Sequence, residues 1–302
     1  MISVLMLTHN RENMVGRAIE SILNQTYKDF ELVIVDDGST DNSGKIADEY
    51  AKNDNRIRVI HQIPNIGMSR ARNKAIDAAK GDYLTFIDDD DWAELDYLEF
   101  LLNLITENDA DISICGADNR NFDEKRVMTA EQALIELMWR KKYNPAFASK
   151  MFRKKLWNGI RCPEDTSPDD AWVTYKLIGR AKRVAYHGLP KYTFYKHESN
   201  DSAWTLDNSL INSKILDTHL KGYRSRTEWL SERFPNSAAA FRYFEWSFMI
   251  SMVEKIHRFE LKDCEKHLLH MTEELSKHRR DFLNCPEIQD FEREWLDKYI
   301  TV

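Results

Sequence analysis

No stretch of the chain approaches the ~20 apolar residues a helix needs to cross a bilayer, so a membrane-spanning helix is not expected. The opening residues, Met1 to Leu7, lack the basic start, apolar middle and small-residue cleavage site of a signal peptide. They read directly as a strand, so synthesis and residence in the cytoplasm are expected. Cysteine is scarce. The four present, Cys115, Cys162, Cys264 and Cys285, form no C-x-x-C pair and meet no histidine at zinc spacing, which leaves buried free thiols as the expectation. Positive charge is in deficit: 43 Lys and Arg face 50 Asp and Glu, a net charge of −7, which argues against non-specific nucleic-acid binding. A nucleotide is not excluded, because one local cation is enough to hold a diphosphate. Internal repeats and low-complexity runs are absent, and no glycine-rich phosphate loop follows the first strand.

What is present fits an ordinary folded protein of 302 residues, 42% hydrophobic and 31% charged, long enough for one large domain or one domain with an appendage. Over the first ~115 residues short apolar runs alternate with helical patterns, the signature of βαβ units around a parallel sheet. Strands are expected at Ile2 to Leu7, Glu31 to Val35, Ile57 to His61, Tyr83 to Ile87 and Asp111 to Cys115. Helices are expected between them; Asn13 to Gln25, for example, places Met14, Val15, Ala18, Ile19, Ile22 and Leu23 on one stripe. Further helices are read at Met68 to Ala79 and Leu95 to Ile105. Beyond Gly116 the rhythm changes, with strands expected at Ala146 to Phe152, Arg183 to His187 and Tyr192 to Lys196. From about Asp207 onward only helical patterns occur, including Ala238 to Phe259 and Leu261 to Arg280.

In an open parallel sheet, ligands bind outside the carboxyl ends of the strands. That rule selects Thr8-His9-Asn10-Arg11 after the first strand, Asp36-Asp37-Gly38-Ser39 after the second and Asp88-Asp89-Asp90-Asp91 after the fourth. Four consecutive carboxylates cost several kcal/mol of repulsion unless a cation sits among them. Such oxygen donors suit Mg2+ or Mn2+. The plainer alternative is a solvated acidic turn in which Asp91 caps a helix starting near Trp92 or Ala93. Asp37 either accepts hydrogen bonds from a ligand or merely belongs to an Asp-Gly turn. Gly67 permits a left-handed turn that brings backbone near a ligand. Arg70 and Arg72 either face a diphosphate or are solvated.

Together these segments resemble glycosyltransferase family 2, the large inverting family with the GT-A fold. The likeness runs through Ser3 to Arg11, Ala18 to Tyr27, Glu31 to Asp41, Asn65-Ile66-Gly67 with Ala71-Arg72-Asn73, and Gly81 to Asp91. Pro168-Asp169-Asp170-Ala171-Trp172 is similar to the family's acidic pair opening a helix, with Asp169 in place of the usual Glu. The segment Arg183 to Ser199 is similar to the stretch that closes the catalytic domain. The resemblance implies an α/β fold: a GT-A (Rossmann-like), mostly parallel sheet flanked by helices, with a C-terminal helical region. A catalytic domain is expected over residues 1–200, with 1–115 as its nucleotide-sugar-binding half and 116–200 as its acceptor-binding half; residues 201–302 are expected to form the helical region.

By the same resemblance the donor is a nucleoside-diphosphate sugar, most often UDP-linked. Thr8, Asn10 and Arg11 would line the nucleotide pocket, Asp37 would contact the base, and Gly67 and Arg72 would lie on the ribose or diphosphate side. Asp88-Asp89-Asp90 corresponds to the D-x-D motif: Asp88 and Asp89 would meet the ribose or a metal-bound water, and Asp90 would ligate Mn2+ or Mg2+. Asp88 and His197 are further candidate ligands. Asp170 falls where the family's base is expected; helix-start signals at Pro168 and the two acids offer a purely structural reading.

The acceptor would be a saccharide, a lipid-linked saccharide or a protein-linked glycan, in a setting such as bacterial polysaccharide assembly. Trp139, Trp157, Trp172 and Trp204 are candidates for stacking on sugar rings or for the core. Phe241, Tyr243, Phe244, Trp246, Phe248 and Met249 imply a small helical core or a homodimer contact. Lys221, Arg224 and Arg226 imply a solvated face or peripheral contact with the inner face of the plasma membrane. The rival readings are a sugar-nucleotide-binding protein without catalysis and a nucleotidyltransferase, the latter disfavoured by the missing glycine-rich loop.

Overall fold

A computed structural model describes residues 1–118, 122–164, 168–197, 200 and 203–300. Packing divides the chain into two units, Met1–Tyr195 and Lys196–Val302. The first unit is built on one sheet. Its first half comprises β1 (Ile2–Thr8), β2 (Phe30–Asp36), β3 (Ile57–His61) and β4 (Tyr83–Asp88), in the order β3-β2-β1-β4 with every pairing parallel. Helices α1 (Val15–Leu23), α2 (Ser43–Asn53) and α3 (Met68–Ala78) make the crossovers. The alternation of side chains sends Ile2, Val4 and Met6 into one core with Val15, Ala18, Ile19 and Ile22 of α1. On α3, Ala71, Ala75 and Ile76 are buried, and the helix packs on β1 and β2.

The second half pairs both ways. β8 (Lys150–Arg153) lies antiparallel between β4 and β6 (Ile112–Ala117), and β6 is parallel to β9 (Val184–Thr193). The short β5 (Trp92–Ala93) and β7 (Phe122–Met128) pair antiparallel with β9. Three helices complete the unit: α4 (Tyr97–Glu107), α5 (Ala130–Trp139) and α6 (Asp170–Arg180).

Several elements differ from their sequence reading, each for a local reason. The two strands expected over residues 183–196 are one strand, β9. It passes through Pro190, which lacks an N–H, where the register against β6 is irregular and the ladder can spare a donor. The strand expected from Ala146 begins only at Lys150, because Ser149 adopts a left-handed backbone (φ 62°) that turns the preceding residues aside. β7 was not legible as a strand: its charged, mostly exposed pattern suits an outer strand whose polarity discourages further pairing. The helix expected from Leu95 starts at Tyr97, since Trp92 and Ala93 commit their backbone to β9.

Among the described residues of the second unit there is no strand. Helices α7 (Ser213–Arg233), α8 (Ala238–Arg258), α9 (Glu265–Lys277), α10 (Arg279–Leu283) and α11 (Asp290–Tyr299) bury Phe241, Tyr243, Phe244, Trp246 and Met249 in a core of their own. The single helix expected over residues 261–280 is split between α9 and α10 and begins late, after left-handed Glu260 and Asp263. Arg224 donates to Glu245 at 2.6 Å and to Glu274 at 3.1 Å, so its charge is spent within the unit. Among the described residues no helix is long and apolar enough to cross a membrane.

Candidate active site

The order β3-β2-β1-β4 places a switch in strand direction of travel between β1 and β4, the position where open α/β sheets form a ligand crevice. Leu7 pairs with Asp88 and Thr8 with Asp36, so the ends of the three strands are level. The backbone N–H of His9 donates to Asp89 at 3.3 Å, and Arg11 Nε lies 3.9 Å from the same carboxylate. Asn10, left-handed at φ 55°, donates its N–H to Ser39 and accepts from the Thr40 N–H at 2.8 Å. Thr8 is buried and accepts from the Asp37 N–H. Thr8, Asn10, Arg11, Asp37 and Asp89 are thus brought to one edge.

Asp37 has a structural task there. It is 4% exposed, and its two carboxylate oxygens accept from the N–H groups of Ile66 and Gly67, each at 2.9 Å. Gly67 stands at φ 88°, with open space where a Cβ would project, and Gly38 at φ 74° lies so close that a Cβ would meet the Asn65 nitrogen at 2.8 Å. The carboxylate therefore fixes the turn that opens α3. Asp37→Ala leaves the Ile66 N–H without its acceptor, while the Gly67 N–H keeps Asn65 Oδ1 at 3.0 Å, and a loss of about 1–3 kcal/mol in denaturant unfolding is expected. A change below ~1 kcal/mol would show that the turn holds without it.

In the acidic turn, burial is the first influence on three of the four carboxyls. It raises Asp88 to about 6, against the pull of Arg72 and with the push of Asp90, Asp170 and Asp169. Asp89 rises to about 7 by burial and the charge of Asp90, opposed by the nearby Thr8 hydroxyl and by Arg11. Asp91 rises to about 8, by burial and then the charge of Asp88. Asp91 is no helix cap: α4 starts six residues later with Asp96 before it. Instead its carboxylate accepts from Tyr192 Oη at 2.7 Å and the Tyr195 N–H at 2.8 Å, while the Asp88 N–H donates to Tyr192 Oη at 3.1 Å. Asp91 is thereby an anchor for β9. Arg17 adds a second tie: it donates to the Asp90 carbonyl at 2.5 Å, with its guanidinium 4.3 Å from the Trp92 ring and 4.5 Å from that of Tyr195.

These carboxyls have folded-state pKa values above their ordinary value near 4. Between about pH 4 and 8 the folded chain therefore binds more protons than the unfolded one, and stability falls as pH rises through that window. His61, raised by hydrogen bonds to Asp36 and Asp48, acts in the same direction above its ordinary value. A chelated sample should accordingly melt several degrees higher at pH 5.5 than at pH 8; the opposite order would contradict the burial of this cluster. Oxygen donors of this kind suit Mg2+ or Mn2+. Among the described residues no three His, Cys, Asp or Glu side chains form a ready cage. A cation here would take one or two carboxylates and draw its other ligands from water and substrate phosphates, the usual manner for Mg2+.

Across the crevice, Arg72 Nε donates to Asp169 at 2.7 Å in an ion pair buried on both sides. Burial opposes the guanidinium charge, but Asp169 and Asp88 overcome it and raise the Arg72 pKa. Arg72 is therefore a paired residue that also faces the acidic turn. Asp170 is the first residue of α6, and its carboxyl is raised by burial and by Asp169, against Arg72, the Ala171 N–H and Lys150. Asp88 feels both Arg72 and Asp170, so the acidic turn and the α6 acids belong to one electrostatic cluster.

His197 lies in the second unit, where its N–H donates to Asn200 at 2.6 Å; Ser199 lies outside the described residues. Trp157 and Trp172 are core residues, Trp157 packing on Phe86, Phe147 and Phe152, so neither is placed to stack on a sugar. Trp204 packs edge-on to His219 within the second unit. Lys150, Tyr192 and Arg17 were missed. Lys150 had a signal, a lysine inside an otherwise apolar expected strand; Tyr192 and Arg17 had none.

The nine-stranded sheet, with its strand switch edged by an acidic turn and a second acidic pair in electrostatic reach of it, has the architecture of a GT-A glycosyltransferase. The chain belongs to glycosyltransferase family 2, whose profile it matches over residues 3–165. It is 31% identical over 250 residues to the glycosyltransferase GlyG of Streptococcus pneumoniae serotype 4, covering 74% of this chain and 82% of that one. Among solved structures it is similar in fold to S. aureus TarS in complex with UDP-GlcNAc (TM-score 0.62, 19% identity, 84% of this chain and 81% of that one). It is also similar to the mannosyltransferase PcManGT from Pyrobaculum calidifontis in complex with GDP-Man and Mn2+ (TM-score 0.57, 14% identity, 99% and 84%).

Proposed function

We propose that this glycosyltransferase moves a sugar from a nucleoside-diphosphate sugar, UDP-linked, to a hydroxyl of a saccharide, lipid-linked or protein-linked glycan acceptor, with inversion at the anomeric carbon. The observation that carries this reading is the joining of Asp88, Arg72, Asp169 and Asp170 into one buried electrostatic cluster beside the β1–β4 switch. The complexes of TarS with UDP-GlcNAc and of PcManGT with GDP-Man and Mn2+ support a nucleotide-sugar donor.

Thr8, Asn10, Arg11 and the Asp37–Gly67 turn line the nucleotide end. Mn2+ or Mg2+, held by Asp90 with Asp88, would offset the charge that builds on the departing diphosphate. Asp170 takes the proton from the acceptor hydroxyl as its oxygen attacks the anomeric carbon, while the bond to the diphosphate breaks on the opposite face. Burial and Asp169 raise its pKa, which makes the carboxylate a stronger base than a solvated one. In the absence of an acceptor, water takes the same path slowly. The first-formed sugar, seen by 1H NMR before mutarotation, should then have the anomeric configuration opposite to the donor's. Retention of configuration would overturn the single displacement.

A further inference from the structure

β3 ends on His61, which stands in register with Asp36 at the end of β2. Its ring lies between two carboxylates: Nδ1 is 3.0 Å from Asp36 Oδ2, and Nε2 is 3.0 Å from Asp48 Oδ1 on α2. A carboxylate only accepts hydrogen bonds, so both contacts are made together only when both ring nitrogens carry a proton. The doubly bonded ring is therefore an imidazolium, and the hydrogen bonds to Asp36 and then Asp48 raise its pKa. Gly44, in the first turn of α2, closes the arrangement: a Cβ there would meet Asp36 Oδ2 at 2.3 Å and His61 Cε1 at 3.2 Å. Lysines on the neighbouring helices are engaged elsewhere, Lys45 of α2 with Asn42 and Lys74 of α3 with Gln62. Asp36 from β2 and Asp48 from α2 are the charged groups that face the ring.

The second oxygen of Asp36 carries the contacts onward. Asp36 is buried, and its Oδ1 accepts from the Ser39 N–H at 3.1 Å. Ser39 Oγ accepts from the N–H of left-handed Asn10 at 3.1 Å, and Asn10 Oδ1 accepts from the Thr40 N–H at 2.8 Å. A hydrogen-bonded path thus runs from Asp48 through His61, Asp36 and Ser39 to Asn10, tying α2, β3 and β2 to the loop after β1. When the ring gives up its proton, one nitrogen turns a lone pair toward a carboxylate and one arm of the clasp is lost. The buried Asp36 carboxylate then lacks its cationic partner, and the loop it holds is placed less firmly.

We propose that His61 is a positioning residue for the nucleotide end of the crevice: clasped between Asp48 and Asp36, its charged ring holds Ser39 and Asn10 where a nucleoside diphosphate meets them. The part played by the ligand rests on the reading of Thr8, Asn10 and Arg11 as that end; the hydrogen-bonded path does not. Binding and protonation are coupled, and coupling is reciprocal, so bound nucleotide raises the titration midpoint of the ring.

The test follows the His61 ring by 13Cε1 NMR in the full chain with Mg2+ present. The signal is assigned by its absence in His61→Gln or, if that variant does not fold, in His61→Asn. Saturating UDP, with binding confirmed by calorimetric titration, should raise the midpoint by about half a pH unit or more, equivalent to about a threefold gain in affinity on protonation. Ser39→Ala removes the oxygen that receives the Asn10 N–H and alters no charge, so in that chain UDP should leave the midpoint where it was. An unmoved wild-type midpoint with UDP bound overturns the proposal. A rise that persists in Ser39→Ala overturns it too, since the charge of the ligand alone would account for it. If no UDP binds, the donor reading falls and the free chain decides the rest: the 15N-labelled Ser39 amide should titrate with the ring in the wild type and not in the histidine variant. A Ser39 amide that ignores the ring overturns the path itself.

Discussion

Asp170→Asn is expected to bind UDP with unchanged affinity and to lose turnover by about 10²- to 10⁴-fold, the usual worth of a positioned general base. The substitution keeps the size of the side chain and its capacity to accept from the Ala171 N–H, so α6 should start as before. It removes only a site for the acceptor's proton. It also takes a negative charge away from Asp169 and Asp88, which both press on one another in the wild-type cluster. The substitution also withdraws a carboxylate that acts on the buried Lys150 ammonium, so the two effects oppose and the melting temperature should stay close to that of the wild type. Calorimetric titration with UDP, thermal melting and rate measurement together separate this outcome from misfolding. Turnover within a few-fold of wild type would remove Asp170 from the mechanism.

Asp90→Ala should cost about 10²-fold or more in turnover, the scale seen when one electrostatic partner of a transition-state charge is removed. The remaining activity should no longer respond to added Mn2+. The tie that holds this turn, from Arg17 to the Asp90 carbonyl, belongs to the backbone and survives the substitution. Asp91→Ala provides the contrast. That change strips an acceptor from Tyr192 and the Tyr195 N–H, so its first effect should be on thermal stability. If Asp90→Ala were the variant that unfolds, and Asp91→Ala the one that melts normally but is inactive, the two aspartates would have exchanged roles.

The parts of the fold that repeat a pattern were legible in the sequence. β1, β2 and β4 announce themselves because each is buried on both faces and reads as an apolar run, β3 is a half-buried strand at the edge of the order, and α1 is plain because Val15, Ala18, Ile19 and Ile22 fall on one stripe. The second half was harder to read. β7 is an outer strand rich in charge, β9 runs through a glycine and a proline, and β8 begins only after a left-handed serine. Those features depend on which strand lies alongside, and no local pattern carries that information.

The site divides in the same way. The acidic turn could be found because four aspartates are clustered there, and the α6 acids only through their likeness to the family's acidic pair. The division of labour within them could not. Asp91 pairs with Tyr192 across 101 residues and Arg72 with Asp169 across 97, contacts fixed only by the folded sheet. Asp37 looked like a ligand contact, and its carboxylate is engaged by two backbone N–H groups. Lys150 stood in plain view among apolar neighbours, where a charge needs a partner; the fold shows it fully buried and donating to the Ala146 carbonyl.

The central claim is that the carboxylates at the end of β4 and the base on α6 serve one sugar nucleotide. Release of nucleoside diphosphate from a panel of UDP- and GDP-sugars, with Mn2+ and with a chelator, tests it most directly. At least one donor should be cleaved by the wild-type chain in Mn2+, with the release abolished by the chelator and lost in both Asp90→Ala and Asp170→Asn. Release that is indifferent to the chelator and equal in all three chains would contradict the account.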